Sequence, residues 1–201
     1  MPGTDKGAPA AMSPVRLANF RNESYSPGRP LPWLIAWMLF GLPILRSPVI
    51  SYRMRAALLR LFGARLGSGA VIKPGVRVKY PWRLIVGDDC WIGEDCWIDN
   101  LELVRLGNNV CLSQGAYLCT GNHDWSDPSF GLIVKPIVLE DGAWAGARST
   151  LAPGVTLGEC AIAAAGSVVT RNIPPFEIHA GNPAVFSRRR RMKADERQPG
   201  F

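Results

Sequence analysis

Histidine and paired cysteine are scarce in this chain, and the scarcity removes several classes of function. Its 201 residues hold 2 histidines and 5 cysteines. The cysteines are odd in number and contain no CxxC pair, so neither a closed disulfide framework nor a four-cysteine zinc site is indicated. They read as reduced thiols, which places the chain in the cytoplasm. Acid is also short, with 16 Asp and Glu against 23 Lys and Arg and a formal net charge of +7. That balance favours anionic partners such as phosphates, nucleic acid or a lipid surface. The 21 glycines keep no three-residue period, which excludes collagen, and with 17 prolines they point to a turn-rich β architecture.

No apolar run is long enough to cross a bilayer comfortably. The longest, "PWLIAWMLFGLPIL" from Pro32 to Leu45, stops at Arg46 and carries two prolines. It starts too far along the chain, and lacks the small-residue cleavage site, for an ordinary signal peptide. Residues 1–30 are rich in Pro, Gly, Ser and Ala and are expected to be a disordered or irregular tail. Ser47 to Gly67 then mixes Arg53, Arg55, Arg60 and Arg65 with Met54, Leu58, Leu59, Leu61 and Phe62. Residues 31–65 therefore read as an apolar and basic amphipathic helical segment. It suits either a membrane surface or packing on its own domain or a neighbouring subunit.

From Leu66 a spacing of six takes over, which neither an α-helix nor a simple alternating strand explains. Aliphatic residues fall at Leu66, Ile72, Val78, then Val86, Ile92, Ile98, then Leu106, Leu112, Leu118. After a break the series resumes with Leu139, Ala145, Leu151, Leu157, Ala163 and Val169. Four residues after most of these stands a small residue or Val, as at Ala70, Cys90, Cys96, Ala116, Ser149 and Ser167. This hexapeptide repeat predicts a parallel β-helix with three six-residue faces per turn and about five coils. Short insertions follow the first and second coils, and a long one, about Gly121 to Pro136, follows the third. Cys90 and Cys96 fall at small corner positions, which makes them structural. The β-helix is assigned to residues 66–178 and a basic C-terminal extension to 179–201.

The blocks "RAALLRLFGARLG", "YPWRLIVGD", "SQGAYLCTGNHDW", "KPIVLEDGAWAGA", "APGVTLGE", "AAGSVVTR" and "GNPA" occur in that order. With the repeat they resemble the acetyltransferases of colanic acid and other exopolysaccharide biosynthesis, relatives of the galactoside and maltose O-acetyltransferases. The resemblance covers roughly residues 66–188. It implies an all-β, left-handed parallel β-helix, a homotrimer with acetyl-CoA in grooves between subunits, and a projecting loop that carries a catalytic histidine. His123 stands at the start of the long insertion, so the resemblance names it as the general base.

The chemistry is consistent with that residue type. A sugar hydroxyl is a poor nucleophile, and an imidazole can accept its proton and return it to the departing thiolate. Asp124, Asp127, Asp99 and Asn100 are candidates to orient the ring. By resemblance Asp99, Asn100 and Asp124 are also candidate acceptor contacts. Trp125 could offer a flat face to a sugar or pack within the loop. Residues matching the family's coenzyme contacts are Ala147, Ala165, Thr170, Arg171 and Arg188; Arg171 keeps the charge of a frequent lysine. Ala145 and Ala163 either relieve crowding at the groove or are tolerated in the core. His179 is assigned a surface or packing role.

Rivals are weaker. A β-helical carbonic anhydrase needs three zinc-binding histidines, and Cys119 with His123 lacks further ligands, so no metal is expected. Charge alone suggests nucleic acid, and no recognised module supports it. An amino-sugar N-acetyltransferase and an inactive scaffold in a polysaccharide assembly complex remain as alternatives. A lipid-linked oligosaccharide acceptor at the inner face of the cytoplasmic membrane would account for the apolar and basic N-terminal third.

Overall fold

Residues 14–23 and 25–192 are described by the computed structural model, in which three parallel sheets wind as one solenoid. The first coil is β1 (Arg65–Leu66), β2 (Val71–Ile72) and β3 (Arg77–Val78); the second is β4 (Leu84–Val86), β5 (Trp91–Ile92) and β6 (Trp97–Asp99). The third is β7 (Val104–Leu106), β8 (Cys111–Leu112) and β9 (Tyr117–Cys119). A hairpin of β10 (Gly121–His123) and β11 (Leu132–Val134) interrupts before the fourth, β12 (Ile137–Leu139), β13 (Trp144–Ala145) and β14 (Thr150–Leu151). The fifth is β15 (Thr156–Leu157), β16 (Ile162–Ala163) and β17 (Val168–Val169). A partial sixth coil begins where Ile173 bridges to Leu157 and β18 (Glu177–Gly181) pairs with β16. An antiparallel strand, β19 (Ala184–Arg189), closes that edge, so the expected boundary at residue 178 falls inside β18.

The six-residue spacing works because it puts like residues in register. Leu66, Val86, Leu106, Leu139 and Leu157 stack down the first face. Ile72, Ile92, Leu112, Ala145 and Ala163 do so down the second, and Val78, Ile98, Leu118, Leu151 and Val169 down the third. All of these are buried except Leu66, which is partly covered. Ala145 and Ala163 are therefore core residues of the second face. The small residues from Ala70 to Ser167 are buried at the corners. Just before each, the chain turns through a left-handed residue, such as Gly69 (φ 68°), Asp89 (φ 54°) or Cys160 (φ 54°). Burial pushes the Cys96 thiol up to about 12 and Cys90 upward too, as suits inert corner residues.

The end of the first coil would expose unpaired strand carbonyls, and the N-terminal helices close it. Helix α1 (Leu31–Ala36) runs through a π-helical turn at Trp37–Gly41 into α2 (Leu42–Arg46), and α3 (Tyr52–Leu61) follows, with the Ser51 hydroxyl accepting from Met54 N. The wider turn lies just before Pro43, which cannot donate a helical hydrogen bond. A Cβ on Gly41 would fall inside the Trp37 indole, so only glycine lets that ring lie against the helix. Trp37, Leu45 and Leu59 are buried in the core. The last carbonyl of each strand of the first coil is met by one side chain from this cap. Arg60 donates to Leu66 O (3.2 Å), Arg55 to Ile72 O (3.4 Å) and Trp37 Nε1 to Val78 O (3.0 Å). These three carbonyls occupy the places where Val86, Ile92 and Ile98 accept from the coil before them.

Candidate active site

All three insertions leave the solenoid at the corner between the third and first faces, and the chain N-terminal to the helices climbs that corner. Residues 14–23 and 25–30, within the expected tail, run from the first insertion to the third. Trp82 Nε1 donates to Pro27 O (2.7 Å), Tyr25 Oη to Leu101 O (3.1 Å) and Arg16 N to Pro128 O (2.9 Å). The Arg83 guanidinium lies over the Tyr25 ring at 5.4 Å. The disorder expected of roughly the first dozen residues concerns a segment outside the described residues.

The third insertion is the β10–β11 hairpin, in which His123 pairs with Leu132. Its tip is built by two aspartates that fold the loop on itself. Asp124 accepts from Ser126 N (2.9 Å) and the Ser126 hydroxyl, and Asp127 from Ser129 N (2.8 Å) and the Ser129 hydroxyl (2.6 Å). These donors, the serine hydroxyls first, hold both carboxyls below their ordinary value. Neither aspartate is the orienting partner of His123.

That partner is a backbone carbonyl. His123 Nδ1 lies 2.8 Å from Phe130 O, and the Phe130 ring stacks on the imidazole with centroids 4.3 Å apart and planes 9° apart. A carbonyl can only accept, so Nδ1 carries the proton and Nε2 keeps its lone pair. Phe130 adopts a left-handed conformation (φ 56°), which is costly for an aromatic residue. Phe20 meets the imidazole edge to face, with centroids 5.5 Å apart. The ring is thus fixed on two sides with its basic nitrogen unspent.

The remaining candidates separate. Asn100 is fully buried and uses its amide at both ends, donating to Tyr80 O (2.7 Å) and accepting from Tyr80 N (2.9 Å). Held this way, Asn100 staples the first two insertions together and is buried, where the expectation had it as an acceptor contact. Asp99 pairs with Lys79 at 3.1 Å, with the Tyr117 hydroxyl 3.4 Å away. Trp125 is 83% exposed at the hairpin tip, so packing within the loop does not account for it. His179 Nε2 lies 3.0 Å from Glu177 Oε2 on β18.

Among the coenzyme candidates, Thr170 and Arg171 lie at the same corner as His123, two coils further on, roughly 10 Å along the axis. Ala147 and Ala165 stack at the corner between the second and third faces, where Ala147 O accepts from Gly166 N (2.8 Å). Gly146 is needed there, since a Cβ would approach Ala165 N to 2.6 Å. Arg188 lies on β19, away from both corners. Arg171 and Arg188 are exposed and pair with no carboxylate among the described residues, a state that fits phosphate ligands. Sequence reasoning missed Phe20 and Phe130. Phe130 acts through a carbonyl, which every residue possesses, and Phe20 lies a hundred residues away in a stretch with no repeat.

The repeat matches a family model described as the hexapeptide repeat of succinyl-transferase over residues 83–119 and 136–171. The chain belongs to the hexapeptide-repeat acetyltransferases. Within them it is 40% identical over 144 residues to the "Putative colanic acid biosynthesis acetyltransferase WcaF" of Escherichia coli (strain K12), covering 72% of this chain and 79% of that protein. The hexapeptide-repeat acetyltransferase VCA0836 of Vibrio cholerae O1 biovar eltor, solved with acetyl coenzyme A, superposes with a TM-score of 0.73 at 23% identity, over 81% of this chain and 90% of that one. A galactoside acetyltransferase solved with coenzyme A gives 0.64 at 25% identity, over 81% and 92%.

Proposed function

We propose that this acetyltransferase moves the acetyl group of acetyl-CoA to a sugar hydroxyl in exopolysaccharide biosynthesis, with His123 as general base. The observation that carries the proposal is the Nδ1 contact to Phe130 O, which leaves Nε2 free to take a proton. The acceptor oxygen attacks the thioester carbonyl carbon while its proton passes to Nε2. The carbon–sulfur bond then breaks, and the imidazolium returns the proton to the departing thiolate. No acyl-enzyme is needed.

Acetyl-CoA lies between protomers of a homotrimer in this reading, with Ala147, Ala165, Thr170, Arg171 and Arg188 along its path. Small side chains at the Ala147–Ala165 corner leave room for an extended pantetheine arm, and the exposed guanidiniums of Arg171 and Arg188 supply charge for its phosphates. The outward residues Trp91 and Trp144, 60% and 41% exposed on the second face, are apolar surface suited to a neighbouring protomer. The acceptor, a sugar or lipid-linked oligosaccharide, meets Asp99, Asp124 and Trp125 beside the hairpin. The site of action is the cytoplasm, at the inner face of the membrane.

The test is thiol release from acetyl-CoA by the purified protein against free and lipid-linked sugars, with His123→Ala beside it. Acceptor-dependent release that falls about a hundredfold or more in the variant supports the proposal. An amide product identifies an amino-sugar acceptor instead, and a protein that binds no acetyl-CoA is a scaffold.

A further inference from the structure

The cap that seals the first coil is amphipathic, and none of the described residues covers its outer side. Leu31, Met38, Leu39, Phe40, Val49 and Met54 are all more than half exposed, with Leu39 at 63% and Phe40 at 64%. Side chains of this size in one continuous segment exceed the scattered apolar exposure of an ordinary surface. Charge is distributed just as unevenly. From residue 24 to residue 87 there is no Asp or Glu, against two lysines and eight arginines. Arg55 and Arg60 are spent on strand carbonyls, whereas Arg46, Arg53 and Arg65 are exposed and pair with no carboxylate among the described residues.

We propose that this outer face docks on a membrane, its occupant being the headgroup and upper acyl region of an anionic phospholipid leaflet. Leu39 and Phe40 enter the acyl boundary, and Arg46 and Arg53 meet the lipid phosphates. Three observations select this occupant. No helix among the described residues is long and apolar enough to cross a membrane, so the contact is peripheral. The same face of a second copy would bring arginines against arginines with no carboxylate to relieve them. In addition, any cyclic oligomer carries equivalent caps at one height, so a homotrimer would place three such faces on one plane and bind with avidity.

The inference deepens the proposed function, because it orients the solenoid away from the leaflet. The His123 hairpin leaves after the third coil, two coil spacings or roughly 10 Å beyond the first. A sugar borne on a lipid would be presented from the side on which the cap sits. Lipid binding itself needs no turnover, so it can fail or hold independently of the acetyltransferase proposal.

The experiment uses the full chain and sedimentation with vesicles of phosphatidylcholine alone or containing about one quarter phosphatidylglycerol. The protein is expected on the anionic vesicles, less so as salt rises. The Leu39→Ser/Phe40→Ser double variant, which alters exposed side chains only, should lower the partition about tenfold or more. Arg46→Gln/Arg53→Gln should remove the preference for anionic vesicles, and Val185→Ser, at the far hairpin and 62% exposed, should change nothing. Absence of binding by the parent chain overturns the proposal. So does unchanged binding by the double variant, or a loss of oligomer mass by light scattering in that variant, which would make a second copy the occupant.

Discussion

The Nδ1 of His123 stands 2.8 Å from the carbonyl oxygen of Phe130, whose own ring lies flat on the imidazole. One residue thus sets both the tautomer and the plane of the base, without a carboxylate. Because Nε2 is the only nitrogen left with a lone pair, His123→Ala should bind acetyl-CoA as the parent does. It should lose about a hundredfold or more in acceptor-dependent thiol release, measured at saturating acetyl-CoA.

Phe20 reaches the same ring from the N-terminal strap, through 5.5 Å of edge-to-face contact. Its removal frees the imidazole on one side without touching the solenoid core. Phe20→Ala is expected to lower kcat/KM for the acceptor about tenfold with little change in unfolding midpoint, and Phe20→Tyr should restore most of it. Steady-state kinetics beside urea titration separate this from a loss of fold.

Arg55 is 3% exposed and donates to the carbonyls of Leu45, Ser47 and Ile72. Methionine at this position keeps much of the stem and removes every donor, leaving three carbonyls unanswered. Arg55→Met should cost about 3 kcal/mol in urea unfolding, and because Ile72 O belongs to the first coil, cap and solenoid should weaken together.

Asn100 should behave as a staple and not as a ligand. Asn100→Leu strands the Tyr80 N–H and C=O and is expected to destabilise the fold by about 2 kcal/mol. The acceptor KM should stay within about twofold of the parent's where the protein is folded. A large rise in KM with unchanged stability would return Asn100 to the acceptor site.

The hairpin tip has a pH dependence of definite sign. The carboxyls of Asp124 and Asp127 titrate below 3.8 in the folded chain, so their contribution to loop order is complete above that value. It is lost as pH falls through the lowered pKa. Carboxyl-carbon shifts followed by NMR should give midpoints below 3.8 for both, and Ser126→Ala should raise the Asp124 midpoint while leaving that of Asp127 nearly unchanged.

What the sequence determined by itself is the solenoid, since a six-residue period turns Ile72, Val78 and their counterparts inward on every coil together. The position of His123 at the break in that period was equally legible, because an insertion interrupts a repeat in plain view. The partial sixth coil was less so: Ile173 and β18 continue the winding after the spacing has lapsed. Only the tertiary structure decided what surrounds the base. Phe130 contributes a carbonyl, which carries no side-chain signature, and Phe20 arrives by a strap held by single contacts to Pro128, Leu101 and Trp82. Asn100 reads like a ligand in one dimension and is a buried staple in three, for the physical reason that folding encloses its amide against the Tyr80 backbone.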